Sequence, residues 1–401
     1  MDMTTSALPP TLAGVGDLFQ HLRDGQAWTR AELCQRSALG RAPVTARVDA
    51  MLAVGLLRPT GETVSTGGRP PTRFRFHGEA RVVLAIDLGA SHASIALLDL
   101  AGEVLDERTV PCDIADGPTA VLDRVSSIGL ELLADRWRPV TDVAGVGIGL
   151  PGPVEHAVGR PVSPPIMPGW HDFDVPAHLG RTFSGPVLVD NDVNLMALGE
   201  HVRGHRGEHL LLVKVATGIG AGIVSDGQLL RGALGSAGDL GHVRVSGAAD
   251  AHCRCGNVGC LEAVAAGPAV AARLREQGLS VESSQDIVDA VNRGDVAALN
   301  AVRDAGRSLG EVLATCVNLL NPSVIVIGGK LSEAGEYLLA GVREVVYERS
   351  LPLATNHLRI VATTVGSLGG VIGAGAMVID EVLAPAAIDA YVARASAQQT
   401  A

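Results

Sequence analysis

Aromatic side chains and positive charges are scarce in this sequence of 401 residues. Phe, Trp and Tyr together make up 3% of it, and acidic residues outnumber Lys and Arg, giving a net charge of -11. A chain this acidic is not expected to bind nucleic acid over its whole surface. The charge is uneven, because residues 1–80 hold nine Arg against seven acidic residues. A mildly basic N-terminal part on an acidic remainder permits contact with DNA through that part alone.

The sequence also lacks the marks of a secreted or membrane-spanning protein. Its N-terminus has no basic start followed by an apolar run, so we expect no signal peptide. Residues 360–379 carry no charge, but five of them are Gly, and Thr and Ser are present. A membrane span would be richer in Leu, Ile and Phe. We therefore predict a buried strand, loop and helix there, in a cytoplasmic protein without membrane contact.

Apolar residues are abundant enough to build hydrophobic cores. They make up 47% of the chain, largely as Ala, Val and Leu, and 49 residues are Gly. General disorder is therefore not expected. The length predicts two or three compact domains rather than one.

Three of the six cysteines fall within eight residues, in the pattern Cys253-x-Cys255-Gly-x-x-Gly-Cys260. In a cytosolic chain such crowding indicates a metal site rather than disulfides. The two glycines allow a tight turn that points the thiolates inward, and His242 is the natural fourth ligand. We predict a structural zinc, because a filled Cys₃His set leaves no position for a catalytic water. The alternative is a group of buried free thiols beside a surface histidine.

The N-terminal part has the pattern of a winged helix-turn-helix. Apolar residues at helical spacing predict a helix over 11–23, and Thr29 precedes Glu32 by the three residues of a capping box that opens a second helix. Pro43 fits the first turn of a third helix, 43–53, which would read DNA. Two short extended runs of a wing follow, at 57–59 and 73–76.

Four residues of this head are predicted to contact DNA. Thr45 and Arg47 lie on the predicted reading helix, and Arg41 just before it is expected to contact the DNA backbone. Arg69 stands among small residues in Gly67-Gly-Arg-Pro-Pro71 and would enter a narrow minor groove. For each Arg the alternative is an ordinary solvated side chain, and for the loop it is an interdomain linker.

From residue 81 the pattern changes to an α/β fold. Strands are predicted at 82–88 and 93–98, followed by a short strand from Val104, a helix over 119–135 and a strand over 143–149. A strand, a glycine-rich turn and a second strand occur twice, near residue 87 and near residue 217, where the loop is predicted over Thr217–Gly222. Two such units predict two lobes separated by a cleft, as in proteins that bind sugars or transfer phosphoryl groups.

Taken together, the motifs resemble those of the ROK family (repressor, open reading frame, kinase), over about residues 10–385. The motifs are Asp87-Leu-Gly89, Asn191-Asp-x-Asn194, Thr217-Gly-x-Gly-x-Gly222, Gly238-Asp-Leu-Gly-His242, Cys253-x-Cys-Gly-x-x-Gly-Cys260-Leu-Glu262 and Ile327-Gly-Gly329. The winged head and the Gly-Gly-Arg-Pro-Pro linker are similar to those of the repressor branch. The resemblance implies an α/β two-lobed actin-like (ribonuclease H-like) sugar-kinase fold behind an N-terminal winged helix-turn-helix domain.

The resemblance also implies a sugar site. Asn191 and Asp192 match the pair that holds sugar hydroxyls, and in kinase members this Asp is the general base. Glu262 matches a sugar-binding carboxylate, and His242 matches a residue that binds zinc through one ring nitrogen and offers the other to sugar. Asp239 stands where the family usually has Glu.

A nucleotide site is implied as well, at Asp87, Gly89, Thr217, Gly218, Gly220, Gly328 and Gly329. Kinase members usually continue the first motif with Gly-Thr-Lys, whereas this chain has Ala90-Ser91-His92. Ala90 adds a methyl group where phosphate must approach the backbone, and His92 replaces a cation. These changes argue against ATP binding, although the other glycines are retained. Near the sugar, Pro165 stands where Asn is common.

The departures and the head together favour a regulator over an enzyme. We predict a sugar-responsive DNA-binding regulator of carbohydrate metabolism genes, acting as a homodimer or homotetramer on operator DNA, with a sugar or sugar phosphate as effector. The alternatives are a sugar kinase with Asp192 as base, and a regulator whose ligand is a protein. The expected domains are a head over 1–66, a linker or wing end over 67–80, lobes over 81–199 and 200–380 with the last helix returning to the first lobe, and a tail over 381–401.

Overall fold

The structure is a computed structural model that describes residues 12–60, 72–164 and 166–400, with side chains through residue 397. The described residues form an N-terminal head and a two-lobed α/β body. The elements of the head are α1 (Val15–Gln20), β1 (Trp28–Thr29), α2 (Arg30–Ser37), α3 (Arg41–Ala53), β2 (Leu57–Thr60) and β3 (Arg73–Phe76).

The head confirms the predicted order of helices and wing strands. The Thr29 side chain accepts a hydrogen bond from the Glu32 amide, and the Glu32 carboxylate accepts one from the Thr29 amide, so the capping box is present. Helix α1 is shorter than predicted, and α3 begins two residues earlier, at Arg41. Strand β1 was not predicted; it pairs with β3, which also pairs with β2, giving an antiparallel sheet of order β1-β3-β2.

The first lobe is a five-stranded sheet with helices on both faces. Its strands lie in the order β10-β7-β4-β5-β6, in which β10, β7 and β4 are parallel and the other pairs are antiparallel. Because both faces are covered, every residue of β7 is buried. The elements of this lobe are β4 (Val82–Leu88), β5 (His92–Asp99), β6 (Val104–Pro111), α4 (Pro118–Asp135), β7 (Val143–Leu150), β8 (Val154–Glu155), β9 (Arg160–Pro161), α5 (Val175–Leu179), β10 (Val187–Asn191) and α6 (Asp192–Gly204).

The second lobe repeats this design with the strand order β13-β12-β11-β14-β15. Its remaining helices, above all α10 and α11, enclose a second core on one face of that sheet. The elements are β11 (Leu210–Val215), β12 (Ile219–Ser225), β13 (Gln228–Leu229), α7 (Glu262–Ala265), α8 (Gly267–Glu276), α9 (Ser284–Asn292), α10 (Val296–Leu320), β14 (Val324–Gly328), α11 (Glu336–Arg349), α12 (Pro352–Thr355) and β15 (Arg359–Ala362). Two further helices follow in the chain, α13 (Gly369–Val382), which packs on the first lobe, and α14 (Pro385–Thr400), which packs on the head.

One predicted loop needs correction. The segment Thr217–Gly222 was predicted as a glycine-rich loop, but β12 begins at Ile219 and pairs residue by residue with β11 from Val215 back to Leu210. Only Ala216, Thr217 and Gly218 form the turn. Gly220 and Gly222 are therefore strand residues packed against α6, where a Cβ would meet Val193 or Ala197.

The uncharged stretch 360–379 forms β15 and α13, as predicted, and most of α13 is buried against the first lobe and α6. Among the described residues no single helix is long and apolar enough to cross a membrane. One bent pair of segments, 366–382 with 385–397, meets that criterion by length and composition.

The head and the C-terminal segment pack together, which corrects two predicted boundaries. Wing strand β3 belongs to the head sheet, so the head extends to Phe76 rather than ending at residue 66. The predicted tail 381–401 contains α14, which packs against α1, and Asp389 accepts a hydrogen bond of 2.8 Å from the Gly16 amide. Apolar side chains of the head, of α13 and α14 and of one face of the first lobe form one continuous core.

Candidate metal centre and ligand cleft

The predicted zinc ligands lie together in the second lobe. One donor atom from each of His242, Cys253, Cys255 and Cys260 lies within 4.8 Å of the others. The sulfurs of Cys255 and Cys260 are 3.7 Å apart, and Cys253 Sγ is 3.6 Å from His242 Nδ1. A tetrahedral zinc site has corresponding edges of about 3.8 and 3.5 Å, given its bond lengths. The donor set therefore fits a zinc ion.

Backbone hydrogen bonds bring these ligands together. His242 ends a 3₁₀ turn, Leu240–His242, and the next residue, Val243, accepts a hydrogen bond from the amide of Leu261, directly after Cys260. The knuckle turns back at Gly256 and Gly259, whose φ angles of +90° and +87° are ones that L-residues rarely adopt. The two glycines thus have the role expected from the sequence.

The three thiols differ in how readily they ionise. The backbone N–H of Asn257 lowers the pKa of Cys255 to about 7, whereas burial raises the pKa of Cys260 to about 12 and also raises that of Cys253. Zinc binds thiolates, so its binding releases the protons of the two high-pKa thiols. Zinc binding at this site therefore becomes tighter as pH rises.

One predicted sugar ligand, His242, belongs to the metal centre, and two others, Asp239 and Glu262, lie close to it. His242 turns Nδ1 toward Cys253, which leaves Nε2 on the opposite side, 3.9 Å from an oxygen of the exposed Asp239. Glu262 begins α7 two residues after Cys260, and its Oε2 accepts a hydrogen bond of 3.1 Å from the amide of Ile219. The carboxylate of Glu262 thereby lies at the beginning of β12.

The other predicted sugar ligands lie where β10 meets α6. Asn191 is the N-cap of α6: its Oδ1 accepts from two amides of the first turn, and its Nδ2 donates to the carbonyl of Gly152. Asp192 is 4% exposed, and its Oδ1 accepts from the amide of Val193. Val193 packs beside Gly220, next to Ile219, so β12 is the common neighbour of Asp192 and Glu262.

A residue that sequence reasoning missed joins the lobes at this point. The ammonium of Lys214 on β11 donates a hydrogen bond of 2.5 Å to Oδ2 of Asp192. Burial lowers the pKa of Lys214, but the attraction of Asp192 and Asp87 outweighs it and the net pKa is raised. The available signal was one charged residue in an apolar strand, in a chain that has only two lysines.

Asp87 lies one residue before the end of β4, on the first-lobe side of this ion pair. Burial raises its pKa to about 7, against the attraction of Lys214 and with a small contribution from the repulsion of Asp192. Its Oδ1 is buried and has no hydrogen-bond partner among the described residues. Asp87, Asp192 and Lys214 form what we call the interlobe triad.

Side chains cover two of the predicted nucleotide-site glycines. The ring of His92 lies so close to Gly89 that a Cβ there would be 2.3 Å from a ring carbon. A Cβ at Gly218 would lie 2.7 Å from Glu262 Oε2, and one at Gly329 would collide with the backbone of Val215. Gly328 ends β14 and pairs with Lys214 across the sheet. Thr217 is exposed at the turn before β12.

The predicted DNA contacts lie on different sides of the head. Arg41 and Thr45 are exposed, one turn apart on α3. Arg47 is partly buried, with its guanidinium against Gly14 at the beginning of α1. Arg69 lies outside the described residues, as does Pro165.

One family profile covers most of the two-lobed body. The sequence profile of the ROK family matches residues 83–381. This chain belongs to the ROK family. The predictions of ROK membership and of a two-lobed sugar-kinase-like fold are thereby confirmed.

Similar ROK proteins include both regulators and kinases. The xylose repressor of Caldicellulosiruptor bescii is 30% identical over 381 residues, which cover 91% of this chain and 95% of that protein. The glucokinase of Halalkalibacterium halodurans is 32% identical over 315 residues, 74% of this chain and 95% of that enzyme. The crystal structure of a ROK family transcriptional regulator, a homolog of the E. coli MLC protein, matches 96% of this chain and 99% of its own at a TM-score of 0.81 and 27% identity.

Proposed function

We propose that this ROK protein is a cytoplasmic, sugar-responsive regulator that binds operator DNA through its head and represses transcription. The observation that carries the proposal is the winged head packed onto a ROK body. The xylose repressor aligns with 91% of the chain, whereas the glucokinase aligns with 74% although nearly all of the enzyme is covered. A DNA-reading module of this kind has no use in a metabolic kinase.

On DNA, a homodimer or homotetramer would place two copies of α3 in successive major grooves of a palindromic operator. Arg41 and Thr45 are exposed on that helix and would contact phosphate and base edges. Arg47 would have to leave its position against Gly14 to reach DNA. Arg69 would enter the minor groove.

The effector would bind in the cleft between the beginning of α6 and the metal centre. Carboxylates and amides that accept and donate hydrogen bonds at fixed angles are suited to sugar hydroxyls. In this arrangement Asn191 and Asp192 supply one side, and Glu262, Asp239 and the free ring nitrogen of His242 supply the other. The zinc is structural, because it holds His242 and the segment leading to Glu262 in place.

The path from effector to DNA follows two packed helices. Helix α6 begins at Asp192 and packs along its length against α13, which also contacts the first-lobe sheet. Gln20 of the head donates to the carbonyl of Leu383 just after α13, and Arg23 pairs with Asp380. A shift of α6 on lobe closure is thereby passed to the head, and it alters the spacing of the two reading helices.

The proposal is tested by fluorescence anisotropy with the full chain and DNA from upstream of its own gene. We expect tight, sequence-specific binding that a neutral sugar from a panel weakens at least tenfold. Asp192→Asn should retain DNA binding and lose the sugar response, whereas Asp226→Asn, at an exposed turn, should behave as the wild type. Absence of specific DNA binding would overturn the proposal. Release of the DNA by a protein partner in the absence of sugar would show that the effector is a protein and not a sugar.

A sugar kinase is the second candidate, favoured by the likeness to the glucokinase. In that case Asp192 would accept the proton of the attacking hydroxyl. Its pairing with Lys214 opposes this role, because Oδ2 already accepts from the ammonium and Oδ1 from the amide of Val193. A coupled assay of ATP consumption over the same sugars decides the question. Turnover in the wild type that disappears in Asp192→Asn would establish the kinase.

A further inference from the structure

The orientation of Lys214 follows from the alternation of its strand. Leu211, Val213 and Val215 face the large core of the second lobe, and Leu210 and Leu212 face α6. Lys214 continues the second set, so its side chain is directed between the lobes. Its cross-strand partners on either side, Gly220 and Gly328, have no side chains that would fill this space.

Other basic side chains near the triad are already bound or uncharged. Arg231 donates to Asp190 at 2.7 Å, and Asp190 is 2% exposed. His156 Nδ1 lies 2.7 Å from the carbonyl of Val189. Partial burial, and then the ammonium of Lys214, lower the pKa of His92, which keeps its ring neutral near pH 7. Lys214 is thus the principal cation facing Asp87 and Asp192.

The glycine turns that would hold phosphate are closed to it. Phosphate binds where successive backbone N–H groups are open to the ligand. Here the His92 ring lies on Gly89, and the Gly89 amide donates to the His92 carbonyl at 2.9 Å. Oε2 of Glu262 lies against Gly218 and accepts a hydrogen bond from the amide of Ile219. The residues present therefore do not fit the phosphates of a nucleotide, since a carboxylate holds the amide that would bind them.

We propose that Lys214 is the resident cation of the cleft, which holds Asp192 as an acceptor for the hydroxyls of an uncharged sugar and excludes sugar phosphates and nucleotides. A phosphate monoester carries a charge of about -1.5 to -2 near pH 7. In the cleft such a phosphate would meet the carboxylates of Asp192, Glu262 and Asp87. The single ammonium there, of Lys214, is already paired with Asp192. A neutral sugar needs only hydrogen-bond partners, and the ion pair supplies them without a change in net charge. This inference rests on the proposed sugar-responsive function.

The experiment measures binding by the full chain with calorimetry and thermal shift. The probes are a panel of neutral sugars that includes D-xylose, D-glucose and N-acetylglucosamine, together with glucose 6-phosphate, N-acetylglucosamine 6-phosphate and a non-hydrolysable ATP analogue. At least one neutral sugar should bind, and its phosphate and the ATP analogue should bind at least tenfold more weakly. A sugar phosphate that binds as tightly as its parent sugar, or more tightly, would overturn the inference.

Variants of the two lysines test the role of Lys214 directly. Lys214→Met should weaken the neutral sugar at least tenfold, Lys214→Arg should recover part of the affinity, and Lys330→Met should bind as the wild type, because Lys330 pairs with Glu333 away from the triad. Since Lys214→Met leaves Asp192 unpaired, Lys214→Gln, whose amide can still donate to Asp192, serves if the Met variant does not fold, and it too should weaken binding of the neutral sugar. Unchanged sugar affinity in Lys214→Met contradicts the proposal.

DNA binding measured on the same samples separates the two proposals. Specific DNA released only by a sugar phosphate would refute the role of Lys214 and leave the regulator standing. A chain that binds neutral sugar through Lys214 but no DNA would refute the regulator alone. If no sugar or phosphate binds, the cleft is not a sugar receptor and both proposals fail.

Discussion

Gly199 on α6 lies against the backbone carbonyl of Gly369 on α13, and a Cβ at Gly199 would come within 2.1 Å of that oxygen. The contact is repeated along the same pair of helices, because a Cβ at Gly373 would lie 1.8 Å from the carbonyl of Leu195. The two helices can approach this closely only where side chains are absent. Their separation is therefore determined by glycines at the contact.

Replacing Gly199 by Ala should destabilise the protein by about 1–3 kcal/mol, because the added methyl group forces α6 and α13 apart. Gly204→Ala at the end of the same helix is the matched control, since its Cβ would meet only Thr364 Oγ1 at 3.4 Å. We expect the control to stay within about 0.5 kcal/mol of the wild type. Urea unfolding measures both. Equal free energies of unfolding for the two variants would mean that the helices are not in close contact.

The metal centre predicts one zinc ion per chain in the purified protein, measured by elemental mass spectrometry. Cys255→Ser should lose the metal and lower Tm by at least about 5 °C, because the free energy of metal binding is part of the stability of such a site. Cys34→Ser, in the head and away from the cluster, is the control and should keep both metal and Tm. Full zinc content in Cys255→Ser would contradict the ligand assignment.

Asp87 should make the stability depend on pH. Its pKa in the folded state is about 7 against an ordinary value of 3.8, so between these values the folded protein binds a proton that the unfolded chain does not. Stability therefore falls as pH rises from about 4 to about 7 and is not regained above that. Asp87→Asn removes this dependence. Its free energy of unfolding relative to that of the wild type should therefore increase between pH 5 and pH 8, by on the order of 1–3 kcal/mol.

The measurement is urea unfolding at both pH values, with Asp226→Asn as the exposed control. Lys214 and Asp192 face Asp87 from β11 and α6, and Lys214 opposes the shift. If the difference in free energy of unfolding between Asp87→Asn and the wild type is the same at pH 5 and pH 8, Asp87 is ionised at both pH values and the attraction of Lys214 dominates.

Arg41→Ala should weaken binding to every DNA sequence by a similar factor and reduce the salt dependence of binding by about one ion, as expected for a phosphate contact. Arg349→Ala is the control, because Arg349 is on α11 of the body and pairs with Glu311. Anisotropy titrations at several salt concentrations measure the slope. A change confined to one base position would instead assign Arg41 to a base edge.

Interactions between neighbours in the sequence could be predicted, and those between distant segments could not. The capping box of Thr29 and Glu32 and the Cys-Gly knuckle involve residues a few positions apart, so spacing alone indicates them. Lys214 was missed because its role depends on pairing with Asp192, which lies on another element 22 residues away in the sequence. No local sequence pattern indicates such a pair. Strand β1 has two residues, Trp28 and Thr29, too few for a period to be seen. Pairing with β3 forms it.

The packing of α14 on α1 limits how the head can be exchanged between related proteins. Gly16, near one end of the chain, and Asp389, near the other, share a hydrogen bond, and Ile388 and Val392 of α14 belong to the core that contains Phe19. The N-terminal head is therefore tied to the last helix by packing and a hydrogen bond and is not a separable domain. Exchanging heads between two relatives requires both ends of the gene, because a graft that carried only the N-terminal segment would leave the apolar face of the last helix against a foreign partner.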